Sequence, residues 1–330
     1  MRNILIRIPS YTQGNIGDFA LIKTIKELYK SDNLVLPNNE KDLNSIDLSD
    51  IDFLIYFGND CIPYYSISID IINKFLAANK KVYIINTSWG KNPKEENLDF
   101  LKTISNDANF QIYLRDDYSH ELIQKDLSFY NKPILTADLA FLCPKSSEPK
   151  VNDLENWITA NDKPIIGINI HEDFKEFNKL VIKHVKNFIE NNKKIYRFLY
   201  IPHDSRKDEH GLLKELHFSC KNVDGYVCEY LEPGYEKYIV EKLFLVITGR
   251  MHLSILTIPN GVPAIVIAYN GVKAKGSLKH WNMNELVVEP KDTKNLGKIF
   301  EKICCNYQNY VERIKRSKDH VERLVKEQLI

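Results

Sequence analysis

Two short strings carry the residues best suited to chemistry. One is Gly14-Asn15-Ile16-Gly17-Asp18, just after the first apolar run; the other is Thr248-Gly249-Arg250-Met251-His252, just after a late one. Each sets glycines and polar side chains where a strand pattern gives way to a helical one. Open α/β sheets bind ligands at such junctions, because the first N–H groups of a helix lack intrahelical partners. Asp18 has two readings: an N-cap, or a carboxylate that orients a sugar hydroxyl or takes its proton. A carboxylate at a helix start repels phosphate. The string also lacks the Lys and Ser/Thr of a P-loop and does not follow G-x-G-x-x-G. Arg250 offers a planar fork matched to carboxylate or phosphate, and His252 follows two residues on.

Other cations and carboxylates gather around these strings. Asn260-Gly261-Val262-Pro263 turns the chain into a strand pattern ending at Tyr269-Asn270-Gly271-Val272-Lys273-Ala274-Lys275. Tyr269, Lys273 and Lys275 therefore stand at the carboxyl end of a strand neighbouring the one before Arg250. Arg, His and Lys would converge on one patch suited to a small, highly charged anion. Arg115, in Tyr113-Leu114-Arg115-Asp116-Asp117-Tyr118-Ser119, closes a strand in the first half of the chain. It either points at a ligand or pairs with a nearby carboxylate, and Ser119 reads as a cap. His203, Asp204, Asp208 and His210 read as a solvated loop, with His203 at the edge of a cleft.

The elements that must position these residues alternate. Strand-like runs cover 4–8, 53–57, 82–86 and 111–114, then 165–170, 198–201, 245–248 and 264–268. They are rich in Ile and Val and nearly continuous, as parallel strands buried on both faces are. Helical patterns at 18–29, 68–78, 117–125, 180–189 and 235–243 complete a series of βαβ units. Pro144-Lys145-Ser146-Ser147-Glu148-Pro149-Lys150 interrupts the series as a linker. The expectation is an α/β protein of two Rossmann-like domains, 1–146 and 147–330, facing across a cleft in the arrangement called GT-B. Residues 292–330 read as helical, with Ile303, Tyr307, Val311, Ile314, Val321, Leu324 and Val325 on one face. That terminal helix would pack on the body and cross back to the first domain. Loops 59–65 and 89–96 are aromatic and polar, as sugar-binding loops are, although Trp89 reads equally well as core.

Composition narrows the classes. A net charge of +1 creates no bulk field that would recruit nucleic acid or anionic lipid, so any anion site is local. No apolar run approaches the roughly 20 residues that span a bilayer. The N-terminus has too short an apolar stretch for a signal peptide and reads as the first strand of a cytoplasmic protein. Six scattered cysteines without a C-x-x-C pair read as reduced thiols.

Taken together and in order, these strings resemble the polysaccharide pyruvyl transferases. The resemblance rests on Gly14 to Asp18, Leu114 to Ser119, Ala137-Asp138-Leu139-Ala140-Phe141, Gly249 to His252, and Gly261-Val262-Pro263 leading to Tyr269 and Lys273. It spans about residues 14–276. It implies transfer of pyruvate from phosphoenolpyruvate onto a sugar of a cell-surface polysaccharide, or its lipid-linked precursor, as a cyclic ketal. By motif position the functional residues are Asp18, Arg115, Arg250, His252 and a lysine after Tyr269. His252 would be the acid and Asp18 the base, while Arg115, Arg250 and Lys273 hold phosphoenolpyruvate. Asn15, Gly17 and Tyr269 would shape the acceptor side. The first domain would take the acceptor and the second the phosphoenolpyruvate.

Phosphoenolpyruvate enters as co-substrate, with no further cofactor and no metal. A lipid-linked acceptor would bring the protein to the membrane surface peripherally; nucleic acid is not an expected partner. The chain departs from the family's pattern at Phe57-Gly58-Asn59-Asp60-Cys61, where Gly-Gly-Gly is common. It also departs at Met251, where Leu is common, and in the spacing of Lys273 and Lys275 from Tyr269. A GT-B glycosyltransferase using a nucleotide sugar is the main alternative. Many such enzymes hold the ribose with a Glu after the cation-bearing helix, and no Glu or Asp lies between His252 and Lys279. A glycan-binding protein on a decayed enzyme fold is the other.

Overall fold

The computed structural model describes residues 1–8, 14–37, 40–59, 62, 68–90, 92–146, 152–171, 175–268 and 271–330. The apolar runs become strands of two parallel sheets. The first holds β1 (Asn3–Arg7), β2 (Asn33–Val35), β3 (Phe53–Asn59), β4 (Lys81–Thr87), β5 (Phe110–Leu114) and β6 (Ile134–Leu135), in the order β2-β1-β3-β4-β5-β6. The second holds β7 (Ile165–Asn169), β8 (Arg197–Tyr200), β9 (Gly225–Val227), β10 (Leu245–Thr248), β11 (Ala264–Ile267) and β12 (Val287–Val288), in the order β12-β11-β10-β7-β8-β9. Every residue of β7, β8, β10 and β11 is buried. Helices on both faces exclude water from such strands, which is why they read as unbroken apolar runs. Four strands escape the sequence reading: β2, β6, β9 and β12. Each is two or three residues long at a sheet edge, too short to carry a period.

Helices fill the crossovers. In the first half these are α1 (Ile16–Leu28), α2 (Glu40–Ser45), α3 (Ile69–Ala77), α4 (Glu95–Ile104) and α5 (Asp117–Asp126). In the second they are α6 (Asn152–Thr159), α7 (Asn178–Asn192), α8 (Glu209–Ser219), α9 (Pro233–Val240), α10 (Met251–Thr257) and α11 (Gly271–Lys279). Two more, α12 (Leu296–Cys305) and α13 (Tyr307–Lys326), end the chain. Among the described residues no helix is long and apolar enough to cross a membrane.

Contacts divide the chain into two units. One comprises 1–12, 24–139 and 320–330; the other comprises 13–23 and 140–319. The sequence expectation drew a single cut after residue 146, whereas the contacts cut after 139 and reassign two segments. The reason lies in specific bonds. In the second unit, Lys237 Nζ donates to the carbonyls of Phe141 and Cys143 at 3.0 and 2.8 Å, and Ser146 N–H donates to Gly234 O at 2.9 Å. The start of the expected linker is thus tied to α9, while 147–151 lie outside the described residues. In the first unit, the buried Gln328 donates to Ala137 O at 2.8 Å and accepts from Asn86 N–H at 3.2 Å. Ile330 N–H reaches Tyr29 Oη at 2.9 Å. Residues 320–330, the end of α13 and the last turn after it, therefore count with the first sheet.

Candidate functional site

In the second sheet the chain runs outward through β7, β8 and β9, then returns to β10 on the other side of β7. Ligands bind in α/β sheets at such switch points, outside the strands' carboxyl ends. Asn169 and Thr248 end β7 and β10 in register with each other. Thr248 Oγ1 lies 3.2 Å from Asn169 Oδ1 and accepts the Arg250 N–H at 2.8 Å. This orders the turn from which Arg250 projects.

Arg250 is held by carboxylates. Its Nε donates to Glu209 Oε1 at 2.5 Å, and its Nη2 lies 3.4 Å from Asp204 Oδ2. Glu209 is 1% exposed, and its other oxygen accepts from His203 N–H at 2.9 Å and Asn169 Nδ2 at 3.1 Å. Asp204 is buried and is also gripped by Arg206, through Nε at 2.8 Å and Nη2 at 2.6 Å. Burial pushes the Asp204 carboxyl up, but the Arg206 hydrogen bond and the Arg250 charge outweigh it and hold the group below its ordinary value. The 203–210 stretch is solvated only in part: Ser205, Arg206 and Asp208 are exposed, and Asp208 caps α8 by accepting from Gly211 N–H, whereas His203, Asp204 and Glu209 are buried. An isolated buried charge is too costly to leave unpaired, and each of these has its counter-charge or donors.

The string from Gly14 to Asp18 belongs to the same unit. Gly14 has φ +66°, a conformation that favours glycine, and a Cβ there would stand 1.8 Å from Ser205 Oγ, which would have to rotate away. Asn15 forms an antiparallel bridge with Asp204, and Ile16 N–H donates to His203 O at 3.0 Å. Asn15 Oδ1 accepts from Gly17 N–H at 2.9 Å, so Asn15 is the residue that caps α1, and Asp18 stands inside its first turn. Asp18 is 5% exposed. A Cβ on Gly17 would stand 2.3 Å from Cγ and Nδ1 of His252. The two strings far apart in sequence thus meet, with the His252 imidazole lying on the Gly17 backbone.

The remaining expected residues fall elsewhere. Arg115, in the first unit, is 3% exposed; its Nη1 donates to Asp138, 0% exposed, at 2.9 Å and its Nε to Ser88 Oγ at 2.8 Å. The pairing reading holds for Arg115, but with Asp138 as partner; two of the recognised strings are joined by this ion pair. Asp116 instead caps α5 and accepts from Ser119 N–H and Oγ. Lys273 and Lys275 both lie on α11. Lys291 holds the Glu289 carboxyl below its ordinary value, and the Lys275 charge adds to the effect. Tyr269 lies outside the described residues, as do 60–61 and 63–65 of one expected acceptor loop and Lys91 of the other. Trp89 is core, with Nε1 donating to Asp126 at 2.7 Å. Sequence reasoning missed Glu209, Asn169 and the buried pair of His203 Nδ1 with Glu236 Oε1 at 2.9 Å. The available signal was position: Asn169 ends an apolar run, and Glu209 opens the helix after the 203–208 loop.

Two Rossmann-like α/β domains of the GT-B kind, with an arginine, a histidine and carboxylates at the second sheet's switch point, define the class. The fold is shared with a putative UDP-N-acetylglucosamine 2-epimerase from Listeria monocytogenes: TM-score 0.62, 10% identity, 96% of this chain and 91% of that one. It is shared equally with sucrose-phosphate synthase from Thermosynechococcus elongatus: TM-score 0.62, 12% identity, 98% and 95% covered. The Anabaena HepE protein in complex with UDP-glucose gives TM-score 0.62, 9% identity and 99% and 97% coverage. Among curated proteins none matches the sequence. The sequence model of the polysaccharide pyruvyl transferases matches residues 15–271, and the chain belongs to that family.

Proposed function

We propose that this protein moves the pyruvyl group of phosphoenolpyruvate onto two hydroxyls of a sugar, in a cell-surface polysaccharide or its lipid-linked precursor, forming a ketal. Family membership supports a transferase acting on polysaccharide. The observation that carries the finer reading is the close approach of the His252 ring to Gly17, the residue before Asp18, in the unit that also holds Arg250.

Phosphoenolpyruvate carries about three negative charges near neutral pH. Arg250 and Lys273 hold it in this proposal. Arg115 acts within its own unit through Asp138. His252 donates a proton to the enol CH₂, leaving positive charge at the carbon that bears the phosphate. One sugar oxygen bonds to that carbon, phosphate departs, and the second oxygen closes the ring. Of the two hydroxyl protons, one replaces that lost by His252 and the other leaves with phosphate. Asp18 orients the attacking hydroxyl and relays its proton to one of these two destinations, ending ionised as it began.

The test is phosphate release from phosphoenolpyruvate over a panel of nitrophenyl and lipid-linked sugars, with ketal detected by mass. Release that depends on acceptor supports the reading. Turnover of a nucleotide sugar with no release from phosphoenolpyruvate replaces it with glycosyl transfer.

A further inference from the structure

We infer that Glu209 is a positioning residue for Arg250, turning the guanidinium so that its Nη1 edge alone is offered to the anionic substrate; the identity of that substrate rests on the function proposed above. One carboxylate oxygen, Oε1, takes the opposite edge: Nε donates to it, and Nη2 stands at ion-pair distance from it without a hydrogen bond. Nη2 also faces Asp204. Among the described residues Nη1 has no hydrogen-bond or ion-pair partner, and it is absent from the buried polar atoms left unpaired. It therefore reaches solvent, in a side chain that is 17% exposed.

Glu209 is built to hold still. Three donors from three places reach its two oxygens: the Arg250 side chain after β10, the Asn169 side chain ending β7, and the His203 N–H after β8. One carboxylate thus ties together the carboxyl ends of the three strands around the switch point. An arginine loses much side-chain freedom when it binds a ligand, and one already fixed loses less. The chemical consequence is specific. A guanidinium can grip an oxyanion with its Nε–Nη2 side or with its Nη1–Nη2 end. Glu209 closes the first option and Asp204 crowds the second, which leaves Nη1 to donate to a single phosphate or carboxylate oxygen.

Two measurements test this. The first reads the clamp directly, by the ¹⁵N-labelled arginine side-chain spectrum, with the Arg250 Nε–H signal assigned by its loss in Arg250→Ala. A signal protected from solvent exchange in the wild type and lost in Glu209→Gln supports the clamp; an unchanged signal in Glu209→Gln overturns it. The second reads its consequence in phosphoenolpyruvate-dependent phosphate release. Glu209→Gln is expected to raise KM by about 10- to 100-fold, with kcat moved less. The same change made in Arg250→Ala is expected to add under about 2-fold, because coupled residues are not additive. Independent, multiplying effects, or a fall in kcat at constant KM, overturn the inference. If Glu209→Gln does not fold by circular dichroism, Arg250→Lys takes its place: it keeps the charge, loses the gripped edge, and is expected to raise KM likewise, whereas an unmoved KM overturns the inference. A wild type that releases no phosphate from phosphoenolpyruvate removes the proposed function, while the spectrum still decides the clamp.

Discussion

Gly17 has no side chain because His252 fills the space where one would stand. In an exposed helix a Gly→Ala change stabilises by about 0.5–1 kcal/mol. Here the added methyl must displace the imidazole. Gly17→Ala is therefore expected to reduce turnover by about 10²-fold, the cost of moving a reacting group by roughly 1 Å. Circular dichroism should show the fold retained. Wild-type turnover in a folded Gly17→Ala variant would mean that the His252 ring position is immaterial. His252→Ala is expected to lower kcat by about 10²–10⁴-fold, the range for loss of one positioned acid. A change within a few-fold of wild type excludes His252 from proton delivery. Both assays need the acceptor found by the sugar panel.

The helix that presents Asp18 is placed by its first residues. The helical pattern read from sequence begins at 18, whereas α1 begins at Ile16. The shift follows from the cap: Asn15 accepts from Gly17 N–H, and the Ile16 N–H is taken by His203 O. Asn15→Ala is expected to destabilise the protein by about 1 kcal/mol, the usual cost of removing an N-cap side chain, read as a lower urea midpoint at an unchanged slope. A midpoint equal to wild type would show that the His203 contact alone sets the start of α1. The strands behave differently. Buried β7 and β10 are legible because water exclusion on both faces demands unbroken apolar residues. The edge strands β2, β6, β9 and β12 are illegible because their pairing, not their composition, makes them strands.

At the scale of the molecule, the chain does not divide where its composition changes. The stretch from Pro144 reads as a linker, but Ser146 pairs with Gly234 and Lys237 holds the two carbonyls just before it. The last residues count with the first sheet. There Gln328 satisfies one donor and one acceptor of buried backbone. Gln328→Ala is expected to cost about 1–3 kcal/mol, because it strips partners from groups that water does not reach. The check is thermal unfolding; a midpoint within a degree of wild type would make the terminal contacts dispensable.

By itself the sequence determined the class of fold, two runs of βαβ units, and where the candidate residues Asp18, Arg250 and His252 stand, at strand-to-helix junctions. Periodicity and turn chemistry are local, so they survive in one dimension. Only the tertiary structure decided that Gly17 lies under His252, that Arg115 pairs with Asp138, and that Glu209, unremarkable in sequence, holds Arg250. The physical reason is that counter-charges in a protein interior are chosen by proximity across the fold. A buried ion takes whichever partner the packing brings within reach, and no spacing along the chain encodes that distance.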